Sequence, residues 1–430
     1  DEYRNEDYAY INVTVSDTGS PDNITAFIDW NYSLVGWWRF NNESGENNTF
    51  FRDWSSYGNN GSCAGDNCST YTGGKFGDAL EFDGSDDYVS VSDSVSLDIT
   101  GEITIEAWIY QPVLISSQIS TKGTNAAYVW GFNTNADGSV KLYADSGFSA
   151  TTSTDTGITA SEWVHVVATY DSSNVNFFFN RIADSGNPHS NSGSISTDNN
   201  PLLIGARWPS SPESFFNGTI DEVRIHNRAL TAEEINASYN TGLHRLETNY
   251  TNLADGVYNY TAYAQDLAGN VNETETRTLT VDATYPQYSL NQTNSTEAGT
   301  DVLFSLYWTD NDLAGYIFSF DNCTGTFEND SYVGMTGVGN WSNVTKKINA
   351  TFGCTIQWRV YANDTIGNMN ISLNYSFLTT DETAPAISDI NNNPESRGFG
   401  ENVTINATVT DTGGVDTVLL EITDPDSQKT

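Results

Sequence analysis

The chain has 430 residues, of which 56 are acidic and only 17 are Lys or Arg, giving a formal charge of −39 although charged residues make up just 17% of it. Cations are too scarce to displace the counterions of a phosphate backbone, so nucleic acid is excluded as a partner. No run of about 18 apolar residues and no signal peptide is present, so this segment makes no membrane contact and reads as a mature or excised piece with any anchor beyond its ends.

The first predicted element is the period-two strand Ile11-Asn12-Val13-Thr14-Val15, which runs into Ser16-Asp17-Thr18-Gly19. The pattern returns as Ile405-Asn406-Ala407-Thr408-Val409-Thr410-Asp411-Thr412-Gly413, and more loosely as Leu306-Tyr307-Trp308-Thr309-Asp310. A second pattern, Asp266-Leu267-Ala268-Gly269-Asn270-Val271-Asn272, follows Tyr263-Ala264-Gln265 and returns as Asp364-Thr365-Ile366-Gly367-Asn368-Met369-Asn370 after Tyr361-Ala362-Asn363. In the middle copy the two patterns lie 54 residues apart (Asp310 to Asp364), but in the first copy 249 apart (Asp17 to Asp266), a surplus of 195 residues. A surplus of that size is a domain. The repeat therefore divides the chain into a first unit split between 1–33 and 242–283, an inserted domain at 34–241, a second unit at 284–381 and a partial third at 382–430. Only 19 residues follow Asp411, too few to reach the late hairpin. The third unit therefore implies a fragment of a longer repeat protein, with strands exchanged between neighbouring subunits as the alternative.

The inserted segment is rich in β-type aromatics: Trp37, Phe40, Phe82, Trp108, Trp163 and Tyr170 are spaced as core residues of curved antiparallel strands, with Gly58, Gly61 and Gly84 at the bends. One helix is predicted at Thr231-Ala232-Glu233-Glu234-Ile235-Asn236, where Thr231 caps and Glu234 completes a capping box. Beyond it, alternation resumes in Tyr258-Asn259-Tyr260-Thr261-Ala262-Tyr263 and again in Val403–Val409. The predicted class is all-β with one short helix.

Asn-x-Ser/Thr occurs 24 times, against roughly ten expected from composition. The sites are Asn12, Asn23, Asn31, Asn42, Asn47, Asn60 and Asn67, then none until Asn217, Asn236, Asn249, Asn259 and Asn272. They continue through Asn291, Asn294, Asn322, Asn329, Asn340, Asn343, Asn349, Asn363, Asn370, Asn374, Asn402 and Asn406. The excess reads as N-glycosylation. Four cysteines form two local pairs, Cys63 with Cys68 and Cys323 with Cys354, and without Cys-x-x-Cys spacing or nearby histidines they read as disulfides rather than a zinc site. Glycans and disulfides together place the chain outside the cell.

The repeating units resemble the immunoglobulin-like or fibronectin-like β-sandwiches of archaeal and bacterial surface proteins, on the strand–Asp-Thr-Gly pattern and the Tyr-Ala-x-Asp-x-x-Gly-Asn-x-Asn hairpin. Residues 34–240 resemble the laminin G-like, concanavalin A-type jelly roll. The motifs are Leu34-Val35-Gly36-Trp37-Trp38-Arg39-Phe40, Asp53-Trp54-Ser55-Ser56-Tyr57-Gly58-Asn59-Asn60-Gly61, Ala79-Leu80-Glu81-Phe82-Asp83-Gly84, Ile105-Glu106-Ala107-Trp108-Ile109, Trp163-Val164-His165-Val166 and Gly218-Thr219-Ile220-Asp221-Glu222-Val223-Arg224-Ile225, in that order. This resemblance implies a structural calcium ion held by Asp53, Asn59 and Asp221, and sugar stacking on Trp130, Trp208 or Tyr128. Asp83, Asp86 and Asp87 form a second acidic cluster, which reads as an exposed turn. Catalysis finds no motif: the Glu-x-Asp-x-x-Glu run of glucanases with this fold is missing, Glu106 stands alone, and His165, His189, His226 and His244 are scattered.

The sequence is therefore read as a glycosylated extracellular structural protein of a cell-surface layer or filament. Its sandwiches would self-associate into the array, and its laminin G-like domain would be displayed for contact. The alternative is a cell-surface adhesin whose jelly roll binds glycans as a lectin. Neither reading is enzymatic.

Overall fold

The computed structural model describes residues 2–4, 6–15, 25–124, 128–144, 148–239, 245–393, 402–411 and 413–422. It is an all-β chain whose single α-helix among the described residues is Ala232–Tyr239. That helix starts in a reciprocal capping box: the Glu234 amide donates to Thr231 Oγ1 at 3.3 Å and the Thr231 amide donates to Glu234 Oε2 at 3.0 Å. The chain divides into two compact units, essentially residues 7–281 and 282–430.

The first unit holds a jelly roll of two sheets. One runs, in hydrogen-bonded order, Ile182–Ala183, Asn174–Phe179, Trp163–Tyr170, Ile103–Tyr110, Asn217–His226, Asp78–Asp83 and Thr70–Gly73, with Leu34–Trp38 paired to Asn217–His226. The other runs Thr151–Thr152, Val140–Ala144, Tyr128–Thr134, Ser117–Gly123, Leu202–Ile204, Val89–Val91, Gly61–Ser62 and Phe50–Phe51. Alternate residues of both sheets meet in one core, including Trp38, Phe40, Phe82, Ile105, Trp130, Phe132 and Tyr170. Of the expected core aromatics, Phe40, Phe82 and Tyr170 lie there, but Trp37 and Trp108 do not. Both are buried on the sheet's other face: Trp37 packs edge-on to Phe27 at 4.9 Å, and Trp108 stacks on His165 at 5.1 Å and on Tyr239 of the helix at 5.3 Å. Trp163 is half-buried against Tyr110.

The same unit contains a sandwich whose two sheets are each completed by strands from either side of the jelly roll. Ala9–Thr14 pairs with Arg245–Tyr250, while Thr25–Trp30 pairs with Gly256–Gln265, from Trp30 opposite Tyr260 to Thr25 opposite Gln265. Trp30 and Tyr250 stack across the core at 4.0 Å, and Ala237 of the helix is buried with them. The jelly roll is thus continuous with this sandwich at both of its ends.

A layer of buried charge lies between them. Arg224, on Asn217–His226, donates to Glu106 Oε1 at 3.3 Å, Ser238 Oγ at 3.2 Å, Glu222 Oε2 at 2.9 Å and Gln265 Oε1 at 3.3 Å, so it spans both parts of the unit. Glu222 also accepts from Trp37 Nε1 at 2.7 Å and Gln265 Nε2 at 2.5 Å; Glu106 accepts from Ser238 Oγ at 2.6 Å and lies 3.1 Å from His165 Nε2. Burial opposes a charge on Glu106, but the His165 hydrogen bond and the Arg224 guanidinium outweigh it and hold the carboxyl well below its ordinary range. Nearby, Arg228 forms a bidentate pair with Glu234 (2.7 and 2.8 Å), whose Oε1 also accepts from Tyr250 Oη at 2.8 Å.

The second unit has a three-stranded sheet (Gln287–Thr293, Asp301–Thr309, Gly339–Lys347) and a six-stranded sheet centred on Leu313–Asn322 and Thr355–Asp364. Phe304 from the first sheet meets Phe318 and Trp358 from the second at 5.4 and 5.5 Å. Ala386–Asn393 and Thr404–Thr410 form a separate hairpin with exposed side chains. The cysteines pair as read, Cys63 with Cys68 and Cys323 with Cys354. No helix among the described residues is long and apolar enough to cross a membrane.

Candidate functional site

A cleft of about 350 Å³ opens on the face of the second jelly-roll sheet that points away from the core. Alternation builds it. Ile119, Phe132, Val140 and Leu142 point inward, so Gln118, Asn133, Lys141 and Tyr143 point outward. Register then aligns them: Gln118 lies opposite Asn133 and Asn133 opposite Lys141, a row across three strands, while Gly131 lies opposite Tyr143 in the next row. A Cβ on Gly131 would stand 2.3 Å from the Tyr143 ring, so only glycine lets that ring lie across the strand.

The polar groups are held in place. Gln118 Nε2 donates to the Ser120 and Phe132 carbonyls at 2.6 and 2.9 Å, which leaves its Oε1 to accept from Tyr143 Oη at 3.0 Å. Asn133 Nδ2 donates to the Thr134 carbonyl at 3.0 Å, and Asn135 Nδ2 to Ser139 Oγ at 2.9 Å. Arg207 enters from the loop above, with Nε 3.1 Å from Glu213 Oε1 and its guanidinium 4.0 Å over the Trp208 ring. Lys141 takes part in no ion pair among the described residues. Among the described residues no carboxylate lines the cleft, and Glu213, just outside it, pairs with Arg207 at 2.5 Å. The cleft is therefore a donor-rich surface whose cation without an ion pair among the described residues is Lys141, with the Tyr143 ring, 9% exposed, in its floor.

The residues expected to hold calcium are each engaged by hydrogen-bond partners of their own. Asp53 Oδ1 accepts from the Trp37 and Ser55 amides, both at 2.8 Å, and Oδ2 from Ser55 Oγ at 2.7 Å and the Asn59 amide at 2.6 Å. Four donors thus fill the carboxylate, which organises its own loop. Asn59 donates to the Val35 carbonyl and to Ser96 Oγ, at 2.7 and 2.8 Å. Asp221 is engaged elsewhere, by the Lys75 and Phe76 amides at 2.8 and 2.9 Å. Burial, with the Glu222 charge beside it, pushes its carboxyl well above the ordinary carboxylate range.

The expected sugar-stacking rings also stand differently. Trp130 is fully buried in the jelly-roll core, so neither ring face is open to a ligand. Trp208, in a loop with φ of 65°, is 8% exposed and covered on one face by Arg207. The Tyr128 side chain lies outside the described residues. Asp83, Asp86 and Asp87 make a turn in which Asp83 Oδ1 accepts from the Ser85 amide at 2.7 Å and Asp87 Oδ2 from the Asp83 amide at 2.9 Å.

Sequence reasoning missed Gln118, Asn133, Lys141, Tyr143 and Arg207. The Val140-Lys141-Leu142-Tyr143 alternation carries part of the signal, but which strands neighbour it does not follow from the pattern. It also missed Lys122, which is fully buried with its ammonium 2.5 Å from Asp93 Oδ1, 3.0 Å from the Asn200 carbonyl and 3.2 Å from the Asp198 carbonyl. That single cation ties the 93–98 and 198–200 loops together. Asn23 lies outside the described residues; none of the other sequon asparagines is buried.

Among known proteins, no curated sequence matches the chain. Solved structures to which the chain shows some similarity include domain 4 of AbnA, a GH43 extracellular arabinanase from Geobacillus stearothermophilus in complex with arabinotriose. It is 19% identical, covers 48% of this chain and 98% of its own, and has a TM-score of 0.38. Trypanosoma rangeli sialidase is 16% identical over 48% of this chain and 32% of its own, with a TM-score of 0.36, so this chain spans about a third of it. A botulinum neurotoxin type C chain, whose cell entry depends on interaction with two ganglioside molecules, is 13% identical over 89% of this chain and 94% of its own, with a TM-score of 0.33. At such scores and identities these likenesses assign no ligand to this chain. Residues 83–236 match the Laminin_G_3 family model, described as the concanavalin A-like lectin/glucanases superfamily, so the inserted domain carries a concanavalin A-like, laminin G-like jelly roll.

Proposed function

We propose that the chain is an extracellular carbohydrate-binding protein, and that its jelly roll takes a saccharide bearing acidic groups, such as a uronate or a sulfated sugar, in the cleft around Lys141 and Tyr143. The observation that carries this reading is the cleft's charge: Lys141, with no ion pair among the described residues, and Arg207, paired with Glu213, line it and no described carboxylate does, on a chain of formal charge −39. Cationic donors recognise carboxylate and sulfate, and amide groups of the Asn133 and Asn135 type recognise hydroxyls. The domain binds without turnover, since glycoside hydrolysis ordinarily takes a pair of carboxyl groups and the described lining of the cleft has none. Sequon asparagines that stand clear of the interior support a glycosylated surface protein that displays this domain for adhesion.

A glycan array probed at low and high salt tests the reading. Acidic glycans bind in preference to neutral ones, and added salt weakens the binding. Lys141→Ala and Arg207→Ala each weaken it about tenfold or more, as loss of a charge-assisted hydrogen bond requires. Binding confined to neutral sugars and unchanged in both variants would sink the proposal.

A further inference from the structure

The two sandwiches of the chain are built on one plan. Ala9–Thr14 and Arg245–Tyr250 take in the first the places of Asp301–Thr309 and Gly339–Lys347 in the second, and Gly256–Gln265 with Val271–Glu273 those of Thr355–Asp364 with Met369–Ile371. The match extends to side chains: the Ala262 amide donates to Thr274 Oγ1 at 3.1 Å, as the Val360 amide does to Ser372 Oγ at 3.0 Å. One strand differs. In the second sandwich Gln287–Thr293 lies along Asp301–Thr309 and makes a sheet of three, whereas Ala9–Thr14 and Arg245–Tyr250 form a sheet of two among the described residues. The last segment repeats that leading hairpin: Ala386–Asn393 pairs with Thr404–Thr410, and the register shifts between Ser388 and Asn391 as it does between Ser289 and Gln292.

What the leading strand covers in the second sandwich is open in the first. Tyr288 lays its ring 5.3 Å from Trp308 and accepts from the Leu373 amide at 3.2 Å, while Asn370 Nδ2 donates to the Pro286 carbonyl at 2.7 Å. The strand thus closes the gap between the two sheets on that side. At the corresponding place the first sandwich has a cleft of about 230 Å³, lined by Val13, Val15, Ala262, Ala264, Asn272 and Thr274 among others. In the repeat Val15 stands where Trp308 does, Ala262 where Val360 does and Asn272 where Asn370 does. Smaller side chains at two of these positions leave more room for a ring. Asn272 is also a sequon residue, but an N-linked asparagine keeps one N–H, so the bond that Asn370 makes is open to it in either state.

We propose that this cleft is an acceptor for the leading strand of a repeat of this kind: an extended segment with the Pro-x-Tyr pattern of Pro286–Tyr288, its aromatic side chain seated on Val15, Ala262 and Ala264. Sites that take an extended strand draw their specificity from pockets for alternate side chains, and an aromatic ring is the largest apolar payload such a pocket buries. The partner is a peptide strand rather than a saccharide, because a strand fills the same place in the second sandwich. This surface is independent of the glycan cleft on the jelly roll.

The test is titration of the full chain against a fluorescently labelled synthetic peptide of residues 284–293, read by anisotropy, beside the same peptide carrying Tyr288→Ala. The unaltered peptide binds saturably at micromolar concentration, and Tyr288→Ala weakens binding at least tenfold. In the chain, Val15→Trp puts into the cleft the residue that the second sandwich has there, and it too weakens peptide binding at least tenfold. Should that variant fail to fold, hydrogen exchange of the unaltered chain locates the site, slowed by the peptide at residues 13–15 and 272–274. No saturable binding up to millimolar peptide overturns the proposal. So does binding that Tyr288→Ala or folded Val15→Trp leaves unchanged, or protection confined to other segments.

Discussion

Replacing Arg224 by Met is expected to destabilise the first unit by about 3–5 kcal/mol in denaturant unfolding, the range for removing one partner of a buried ion pair. The cause is what stays behind. Glu106 and Glu222 are both fully buried, and without the guanidinium Glu222 keeps only the more distant Arg39, at 3.8 Å, and Glu106 only its histidine and serine partners, while Gln265 and Ser238 lose a partner. Arg224 also lies 4.3 Å over the Phe27 ring, so the substitution loosens the sandwich side as well as the jelly-roll side. A matched control is Lys346→Met, whose ion pair with Asp330 at 2.5 Å is about a third exposed and should cost no more than ~1 kcal/mol. A loss at Arg224 as small as the control's would mean that the buried layer does not join the jelly roll to the sandwich.

The second large effect is a pH dependence at His226. Burial, reinforced by the Arg228 charge, lowers its pKa from 6.5 to about 3, against the opposing pull of Glu106 and Glu234. Below its ordinary pKa the unfolded chain takes up a proton here that the folded chain refuses until about pH 3. Stability at this site therefore falls as pH drops from 6.5, by a total on the order of a few kcal/mol. Glu43, raised to about 7 by burial, and Asp221, raised by burial and by Glu222, act in the opposite sense, so the whole-protein curve mixes signs. The comparison that isolates His226 is wild type against His226→Asn, unfolded at about pH 7 and about pH 4.5. Wild type should lose ~2–3 kcal/mol more than the variant over that interval. Equal losses would mean that His226 titrates normally in the folded chain.

Much of the architecture was legible because it rests on local chemistry. Period-two alternation marked the strands, Thr231 and Glu234 marked the helix, and the spacing of two repeated patterns located the segment whose flanks share sheets. What could not be read was facing. Trp37 and Trp38 are adjacent and equally apolar, yet one packs against Phe27 and the other enters the jelly-roll core, and only the presence of a sandwich behind the sheet decides which. The same limit hid the cleft, since Gln118, Asn133 and Lys141 meet through strand register rather than proximity in sequence. Asp53 shows a different limit. A loop aspartate is equally suited to a metal or to backbone amides, and here four local donors take it. Trp130 stands on a strand, where one residue's shift in facing separates a ligand platform from a core residue.

The measurement that bears most directly on the central claim is a crystal structure of the protein soaked with an acidic oligosaccharide selected from the array. The account predicts a saccharide in the Lys141 cleft, with its carboxylate or sulfate within hydrogen-bond reach of Lys141 Nζ and the Arg207 guanidinium. A saccharide bound elsewhere on the jelly roll, with the Lys141 cleft holding only water, would contradict it.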